Sequence, residues 1–123
     1  MAVVATHVGT AQIGADAFVV SVSGELDLST VEPLEQELAA VMEQGGRRVI
    51  VDLTGVTFID SVSLGALVGN AKRLRTNGGT CVLVADDPRI LRIFEITGLG
   101  RVFGIERSLA EGVDRLVGRI ARA

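Results

Sequence analysis

The sequence predicts a single α/β domain with a mixed, mostly parallel β-sheet and about four helices, in the order ββαβαβαβα. The length of 123 residues suits one compact domain, and 48% of the residues are hydrophobic. Short β-branched runs alternate with segments in which apolar residues recur every three or four positions. Only the first two strands follow each other without a helix, so we expect an antiparallel start and parallel strands afterwards. Residues 1–123 are therefore interpreted as one domain.

The first third of the chain predicts two strands and a helix. The strands fall within Val3–Gln12 and Phe18–Ser23, and residues 13–16 join them as a hairpin. The helix has Pro33 in its first turn, where the missing N–H costs nothing, and it ends at Gly45–Gly46. Its apolar positions have helical spacing and are Val31, Leu34, Leu38 and Val41.

The middle of the chain predicts the centre of the sheet and the most regular helix. Arg48–Leu53 is a continuous β-branched run, which is typical of a central strand covered on both faces. A helix starts at Ser61 and is closed by Asn77–Gly79, and Thr80–Val84 is a further buried strand. The apolar face of this helix consists of Leu64, Leu67, Val68, Ala71 and Leu74.

The last third predicts a helix over Pro88–Thr97, a short strand over Val102–Ile105 and a terminal helix from Ser108. In the terminal helix, Glu111 and Arg115 are four residues apart, and we expect them to form an ion pair. The apolar stripe of that helix is predicted to consist of Leu109, Val113, Leu116, Val117 and Ile120.

Composition argues against several classes of function. One cysteine, Cys81, excludes an internal disulfide, and with one histidine, His7, it cannot complete a zinc site of nitrogen and sulfur ligands. A net charge of −3 and the absence of Trp and Tyr disfavour direct nucleic-acid binding. No apolar run approaches the roughly 20 residues that span a membrane, and the first residues lack a secretory signal. We therefore expect a cytoplasmic protein without metal, cofactor or membrane insertion.

Catalytic motifs are also missing from the sequence. No GxxxxGK[ST] phosphate loop and no GxSxG elbow is present, and a Ser-His-Asp triad would have to use His7, near the start of the chain. His7 is interpreted as a surface residue of the first strand, and Cys81 as a small buried hydrophobe. We predict that the chain is not an enzyme; the alternative is a small-molecule pocket at the carboxyl ends of the strands.

The segment Asp52–Gly65 stands out because it predicts a strand end, a short loop and the start of the best helix. A helix N-terminus has unpaired N–H groups and a partial positive charge, which would stabilise a phosphate on Ser61 by roughly 0.3–1 kcal/mol. The alternative interpretation is that Asp60 or Ser61 is simply an N-cap, worth about 1 kcal/mol to the helix. One segment can fulfil both roles.

Four segments carry a family resemblance: Gly24–Asp27, Val49–Thr54, Phe58–Gly65 and Phe94–Leu99. Together, over nearly the whole chain, they resemble a STAS domain of the bacterial anti-anti-sigma factor type. The resemblance implies an anti-sigma factor antagonist. Its unphosphorylated form would bind an anti-sigma factor that is itself a serine kinase, and would thereby free a sigma factor for transcription. Phosphorylation of one serine would switch the antagonist off, and a serine phosphatase would restore it.

The resemblance also implies which residues form the site. The phosphate acceptor of the family directly follows the aspartate at the helix start, which makes Ser61 the first candidate and Ser63 the second. The family pattern is Asp-Ser, a small polar residue, Gly, Leu, Gly; this chain has Val62 and Ser63 at the third and fourth positions. The implied partner-binding residues are Asp27, Asp60, Ser61, Val62, Ser63 and Leu64.

Two other roles of STAS proteins remain open at this point. One is an accessory subunit that binds the ATPase of an ABC-type lipid transporter and needs no phosphorylation. The other is a stressosome-like scaffold subunit, although such proteins usually carry an additional N-terminal sensor region. Co-purification with a transporter ATPase rather than with a kinase would favour the first of these alternatives.

Overall fold

The computed structural model describes residues 6–121, which are organised around one five-stranded sheet. The strands are β1 (His7–Gln12), β2 (Ala17–Leu26), β3 (Arg48–Ile59), β4 (Thr80–Val84) and β5 (Gly104–Glu106). Their spatial order is the same as their order in the chain, so β3 is central, as predicted. β1 pairs antiparallel with β2, and every later pair is parallel. The N-terminal part of the first predicted strand, residues 3–5, lies outside the described residues.

The helices are α1 (Glu32–Glu43), α2 (Ser61–Thr76), α3 (Pro88–Thr97) and α4 (Leu109–Ala121), with a short 3₁₀ turn at Leu99–Arg101. The predicted order ββαβαβαβα is confirmed. Helix α3 has the bounds that the pattern indicated. It is closed by Gly98, whose φ of 73° is in the left-handed region that glycine adopts without strain.

Two hydrophobic clusters, one on each face of the sheet, hold these elements together. The larger cluster contains buried residues of α1, α2 and α3, and β2 contributes Phe18, Val20 and Val22 to it. The smaller cluster lies under α4, and the alternate residues of β2, Ala17 and Val19, belong to it. The first half of β2 is therefore apolar on both faces, which is why its sequence shows no polar alternation.

The strand β3 is longer than predicted. The β-branched run predicts a strand that ends at Leu53, but β3 continues to Ile59. The predicted short loop within Asp52–Gly65 would include Gly55. In the structure Gly55 lies against β2, where an added Cβ would come within 2.8 Å of Ser23 Cβ. Glycine is therefore required here by the close approach of the two strands.

The extension of β3 contains two β-bulges. Ser21 pairs with Asp52 while Ser23 pairs with Gly55, so β3 has one extra residue between the two pairs. A second extra residue lies between the pairs Gly24 with Val56 and Glu25 with Phe58. Bulges re-aim side chains and are common beside functional sites. Here they lie in the last part of β3, directly before the start of α2.

The C-terminal part of the chain differs from the prediction in three details. The last strand is Gly104–Glu106 rather than Val102–Ile105, because the 3₁₀ turn uses the preceding residues. Arg115 pairs with Glu106 of β5 at 2.7 Å, so the predicted pair with Glu111 is wrong; Glu111 instead accepts a hydrogen bond from the Arg107 N–H. Val117 and Leu109 are 53% and 38% exposed rather than part of the buried stripe, and Ile120 lies outside the residues whose side chains are described.

Candidate functional site

The carboxyl ends of β2 and β3 bring two acidic residues together. Leu26 and Ile59 are in register at the ends of these neighbouring parallel strands, and Asp27 and Asp60 follow them directly. The Asp60 N–H donates to the Leu26 carbonyl oxygen at 3.0 Å, which fixes the two chain segments side by side. The two carboxylates are near enough to each other for the charge of Asp27 to act on Asp60.

Asp60 is the N-cap of α2. Its Oδ1 accepts the Ser63 N–H at 2.7 Å, and its Oδ2 accepts the Leu28 N–H at 3.1 Å. One carboxylate therefore ties the first turn of α2 to the segment that follows β2. The Ser63 N–H has the largest effect on the Asp60 pKa, which lies below its ordinary value of 3.8, and the Leu28 N–H adds to it. The interpretation of Asp60 as a cap is confirmed; Ser61 is not the cap.

Asp27 organises the segment that connects β2 with α1. Its Oδ1 accepts both the N–H of Ser29, at 2.9 Å, and the hydroxyl of Ser29, at 2.7 Å. The hydroxyl of Thr30 accepts the Asp27 N–H at 2.9 Å and donates to the Glu25 carbonyl oxygen at 2.7 Å. The hydrogen bonds made to the carboxylate, first that of the Ser29 hydroxyl and then that of the Thr30 hydroxyl to Oδ1 at 3.1 Å, lower the pKa of Asp27. The carboxylate is thus ionised and held in place beside the start of α2.

The two candidate acceptor serines have opposite environments. Ser61, the first residue of α2, is exposed. Ser63 is completely buried, with 0% of its surface accessible. Its hydroxyl is near enough to Asp60 to lower the pKa of that carboxyl, yet it forms no hydrogen bond of acceptable geometry. Only the Ser61 hydroxyl is therefore presented to a large partner in this conformation.

The remaining predicted partner residues lie at the same end of α2. Val62 is 50% exposed, and Leu64 is half-buried against the larger cluster. Sequence reasoning missed two further exposed apolar residues at this edge, Leu28 and Phe58. Phe58 was assigned to a loop because the extension of β3 was not predicted. Within an extended strand, Phe58 and Ile59 must point to opposite faces, and that signal was available in the sequence.

The hydrogen bonds of Asp60 predict a specific response to acid. A carboxyl whose folded pKa is lowered stabilises the fold above its ordinary pKa, and this contribution is lost as the pH falls through the folded value. We expect Asp60→Ala to lower the unfolding temperature at neutral pH. Asp60→Asn should retain most of the capping, because asparagine is an equally good N-cap.

Thermal unfolding between about pH 7 and about pH 2 checks this prediction, because the ordinary carboxyl pKa lies within that range. The Asp60→Asn variant should lose less stability on acidification than the wild type does. Some acid sensitivity will remain, because the pKa values of Asp16, Asp27 and Asp87 are also lowered, by Arg48, Ser29 and Arg89 respectively. Identical acid sensitivity in both proteins would contradict the prediction.

The cysteine lies away from this edge. Cys81 is buried in β4, and it borders a small apolar cavity of about 10 Å³ between the helices α1 and α2 and the sheet. Burial raises the pKa of the thiol to about 12. The interpretation of Cys81 as a buried hydrophobe is confirmed.

We expect Cys81 to react with thiol reagents only after unfolding. At pH 8 a thiol with a pKa of about 12 is ionised to roughly one part in ten thousand, and the thiolate is the reactive form. Ellman's reagent should therefore label the native chain slowly and the chain in denaturant at once. A Cys81→Ala variant that also carries Ala110→Cys, at an exposed position of α4, is the control and should be labelled immediately. Rapid labelling of the native wild type would refute this.

Within residues 6–121, no helix is long and apolar enough to cross a membrane. The same described residues contain no group of three or more His, Cys, Asp or Glu side chains arranged to hold a metal ion. The edge presents the exposed Ser61 hydroxyl beside the capping carboxylate of Asp60 and near exposed apolar side chains.

The fold and this edge define a mixed-sheet α/β domain with an accessible serine at the N-terminus of a helix. The model of the STAS domain family matches residues 9–112. The chain belongs to the STAS domain family, and the resemblance seen in the sequence is confirmed.

Known proteins resemble this chain in sequence or in fold. The anti-sigma-B factor antagonist of Staphylococcus aureus is 42% identical over 80 residues, which are 65% of this chain and 74% of the relative. The crystal structure of an anti-sigma factor antagonist from Mycobacterium paratuberculosis is 31% identical, with a TM-score of 0.79 over 93% of this chain and 94% of that one. The Bacillus protein SpoIIAA in its phosphorylated form is 24% identical, with a TM-score of 0.70 over 90% and 98% of the chains, which shows the shared fold alone.

Proposed function

We propose that residues 1–123 act as a single STAS domain that antagonises an anti-sigma factor in the cytoplasm. The unphosphorylated chain binds an anti-sigma factor with serine kinase activity and thereby releases a sigma factor for transcription. Phosphorylation of Ser61 by that kinase ends the binding, and a serine phosphatase restores it. The chain is the substrate of the kinase and contributes no catalytic residue. The relatives named as anti-sigma factor antagonists support this role.

One observation carries the choice of residue: Ser61 is exposed at the start of α2, whereas Ser63 is completely buried. Phosphoryl transfer requires the serine oxygen to attack the γ-phosphorus of ATP in line with the leaving ADP, while a base of the kinase takes the hydroxyl proton. An exposed hydroxyl can reach that geometry. The Ser63 hydroxyl could reach it only after the first turn of α2 had opened and the bond from its N–H to Asp60 had broken.

The phosphate would act on the partner and leave the fold intact. It adds a charge of about −1.5 to −2 beside Asp60 and Asp27, whose lowered pKa values keep both carboxylates ionised. The partial positive charge at the N-terminus of α2 stabilises the phosphate by roughly 0.3–1 kcal/mol. A partner surface that has adapted to the neutral hydroxyl would meet a bulky dianion. The switch is therefore expected at the interface.

Intact mass measurement and phosphopeptide mapping of the protein from its host, under growth and under stress, test the assignment. We expect one phosphate on Ser61, absent from Ser61→Ala and present in Ser63→Ala. A phosphate on Ser63 would move the switch to that residue and imply opening of the helix start. The absence of phosphate under every condition would refute the switch and favour a constitutive binding role, such as that of a transporter accessory subunit.

A further inference from the structure

The two edges of the sheet differ in how they are protected against pairing with another strand. At one edge, β5 has only three residues, and its last residue, Glu106, is tied to Arg115 by an ion pair. At the other edge, β1 has six residues, pairs with β2 in a regular register, and contains no Asp, Glu, Lys, Arg or Pro. Short strands, charges, prolines and bulges are the usual protection of an edge. Within the described residues, β1 has none of these, and no strand pairs with its outer side.

In the part of the chain that the structure describes, the outer side of β1 is open to solvent. Five of the six residues of β1 are exposed, and Val8 is half-buried. The hydroxyl of Thr6, the residue before β1, donates to the Glu25 carbonyl oxygen of β2 at 2.7 Å. Thr6 therefore lies along β2 and does not cross the outer side of β1.

The hydrogen bonds of the first hairpin show which backbone groups of β1 face outward. The Ile13 N–H donates to the Ala17 carbonyl oxygen at 2.8 Å, so the odd-numbered residues of β1 bond to β2. On the other side of β2, the Arg48 N–H donates to the Asp16 carbonyl oxygen at 3.0 Å, which agrees with this alternation. Three even-numbered residues of β1 therefore leave three N–H donors and three C=O acceptors at the free edge. These residues are Val8, Thr10 and Gln12.

This pattern is complementary to itself. When two copies of β1 lie antiparallel about a two-fold axis at Thr10, Thr10 opposes its own copy, and Val8 opposes Gln12 of the second copy. All three donors and all three acceptors of each strand are then paired. On the face away from α1, Gly9 opposes Ala11 of the second copy, and a Cβ added at Gly9 would meet nothing within 4 Å. The side chains beside the axis on that face are therefore small.

Helix α1 places one charge near this axis. Glu37 of α1 accepts a hydrogen bond from the Thr10 hydroxyl at 2.6 Å. In the two-fold arrangement, the two Glu37 carboxylates lie within roughly 10 Å of each other, which is about the Debye length at 0.1 M salt. Their repulsion opposes the pairing at low salt. Added salt, or removal of this charge, should therefore strengthen it.

We infer that this chain forms a weak, reversible dimer in which two copies of β1 join two five-stranded sheets into one continuous sheet. The second copy is the occupant because the register about Thr10 pairs every free backbone group of β1, and because β1 carries no charged side chain that a copy would repel. The paired edge is small compared with the roughly 1,200–2,000 Å² of a stable interface, which makes the dimer weak. The contact uses no residue of the Asp60–Ser61 edge, so it is independent of the proposed function.

Oxidative cross-linking tests the register. In a Cys81→Ala background, Thr10→Cys places each cysteine opposite its own copy, with Cα atoms about 5.5 Å apart, which is within disulfide range. Gln12→Cys is the matched control, because Gln12 is exposed on the same strand but its two copies are four residues out of register, about 14 Å apart. With oxidised glutathione as the oxidant, we expect Thr10→Cys to form the disulfide dimer at least tenfold faster. Equal rates for the two variants would overturn the inference.

Sedimentation velocity of the full chain, from about 20 µM to about 1 mM, measures the dimer without a cross-link. The sedimentation coefficient of the wild type and of Thr10→Val should rise with concentration. Thr10→Pro should stay monomeric, because it lacks one free N–H, and proline is tolerated in an edge strand. Glu37→Gln and higher salt should each strengthen the dimer at least twofold, and Ser61→Ala should behave like the wild type.

The outcomes separate this inference from the proposed function. A wild type that stays monomeric at every concentration overturns the dimer and leaves the role of Ser61 untouched. A dimer that persists unchanged in Thr10→Pro uses another surface and also overturns the inference. Thermal unfolding shows whether Thr10→Pro is folded; where it is not, the rates of the two cysteine variants decide the question.

Discussion

Phosphorylation of Ser61 is expected to lower the affinity of this chain for its anti-sigma factor by about four orders of magnitude. A change from 99% to 1% bound requires a difference of about 5.5 kcal/mol between the two forms in a simple two-state description. The partial positive charge of the helix start stabilises the phosphate by only about 1 kcal/mol, so it does not supply this difference. We expect the difference to come from desolvation and repulsion at the interface, where the phosphate joins Asp27 and Asp60.

Titration of the anti-sigma factor with the chain phosphorylated by its kinase measures this effect directly. Ser61→Glu should imitate part of the loss, because a carboxylate carries less charge than a phosphate. Ser61→Ala should bind like the unphosphorylated wild type and resist the kinase. Far-ultraviolet circular dichroism should be unchanged in all forms. A phosphorylated chain that binds with unchanged affinity would refute the switch, and a large spectral change would refute its placement at the interface.

The helix α2 explains why a charge on Ser61 can act locally. Its buried stripe of Leu67, Ala71 and Leu74 packs in the larger cluster, and its first turn is tied by Asp60 to the Leu28 N–H. Movement of the helix start would therefore cost packing as well as hydrogen bonds. Phosphorylation can therefore change the exposed Ser61 side chain without moving the helix. The same anchoring gives a partner a fixed surface to recognise.

Local patterns predicted the element order because the helices have a clear helical period and the strands are short β-branched runs between them. Helix α3 was placed from Pro88, the apolar spacing and Gly98, and its bounds agree with the structure. The extension of β3 was missed because its two bulges break the period-two pattern that identifies a strand. The partner of Arg115 was missed because Glu106 lies on β5, and nearest-neighbour spacing in a helix says nothing about an adjacent strand.

The local geometry of the candidate site was also predicted in part from sequence patterns. Asp60 and Ser61 are sequence neighbours at a helix start, so capping and exposure follow from local rules. The burial of Ser63 depends on which side of α2 faces the sheet, because Val62 and Ser63 are about 100° apart around the helix, and only Ser63 is buried. Leu28 was missed because its fixed position depends on a hydrogen bond to Asp60, which is 32 residues away. Such contacts become visible only once the register of β2 and β3 is known.

The largest expected loss of stability is at Phe94. Its ring is 1% exposed in the larger cluster, on the face of α3 that packs against β3. Removal of a fully buried aromatic side chain loses the free energy of its transfer from water and also leaves a cavity. Phe94→Ala should therefore lower the free energy of unfolding by about 3–5 kcal/mol. The free energy of unfolding of a native protein is typically about 5–15 kcal/mol, so this single change would remove a large part of it.

Urea unfolding of Phe94→Ala, Phe94→Leu and Ile96→Ala measures the effect. Ile96 is on the same helix, two residues away, but is 71% exposed, so Ile96→Ala should stay within about 0.5 kcal/mol of the wild type. Phe94→Leu fills part of the cavity and should fall between the two. Because Phe94 is buried in the larger cluster and is not an exposed residue of the edge that carries Ser61, folded Phe94→Leu should still bind the anti-sigma factor, and phosphorylation of Ser61 should still end this binding. Equal stability of the Phe94→Ala and Ile96→Ala variants would contradict the packing of α3 against β3, and with it the scaffold that positions the end of β3 at the start of α2.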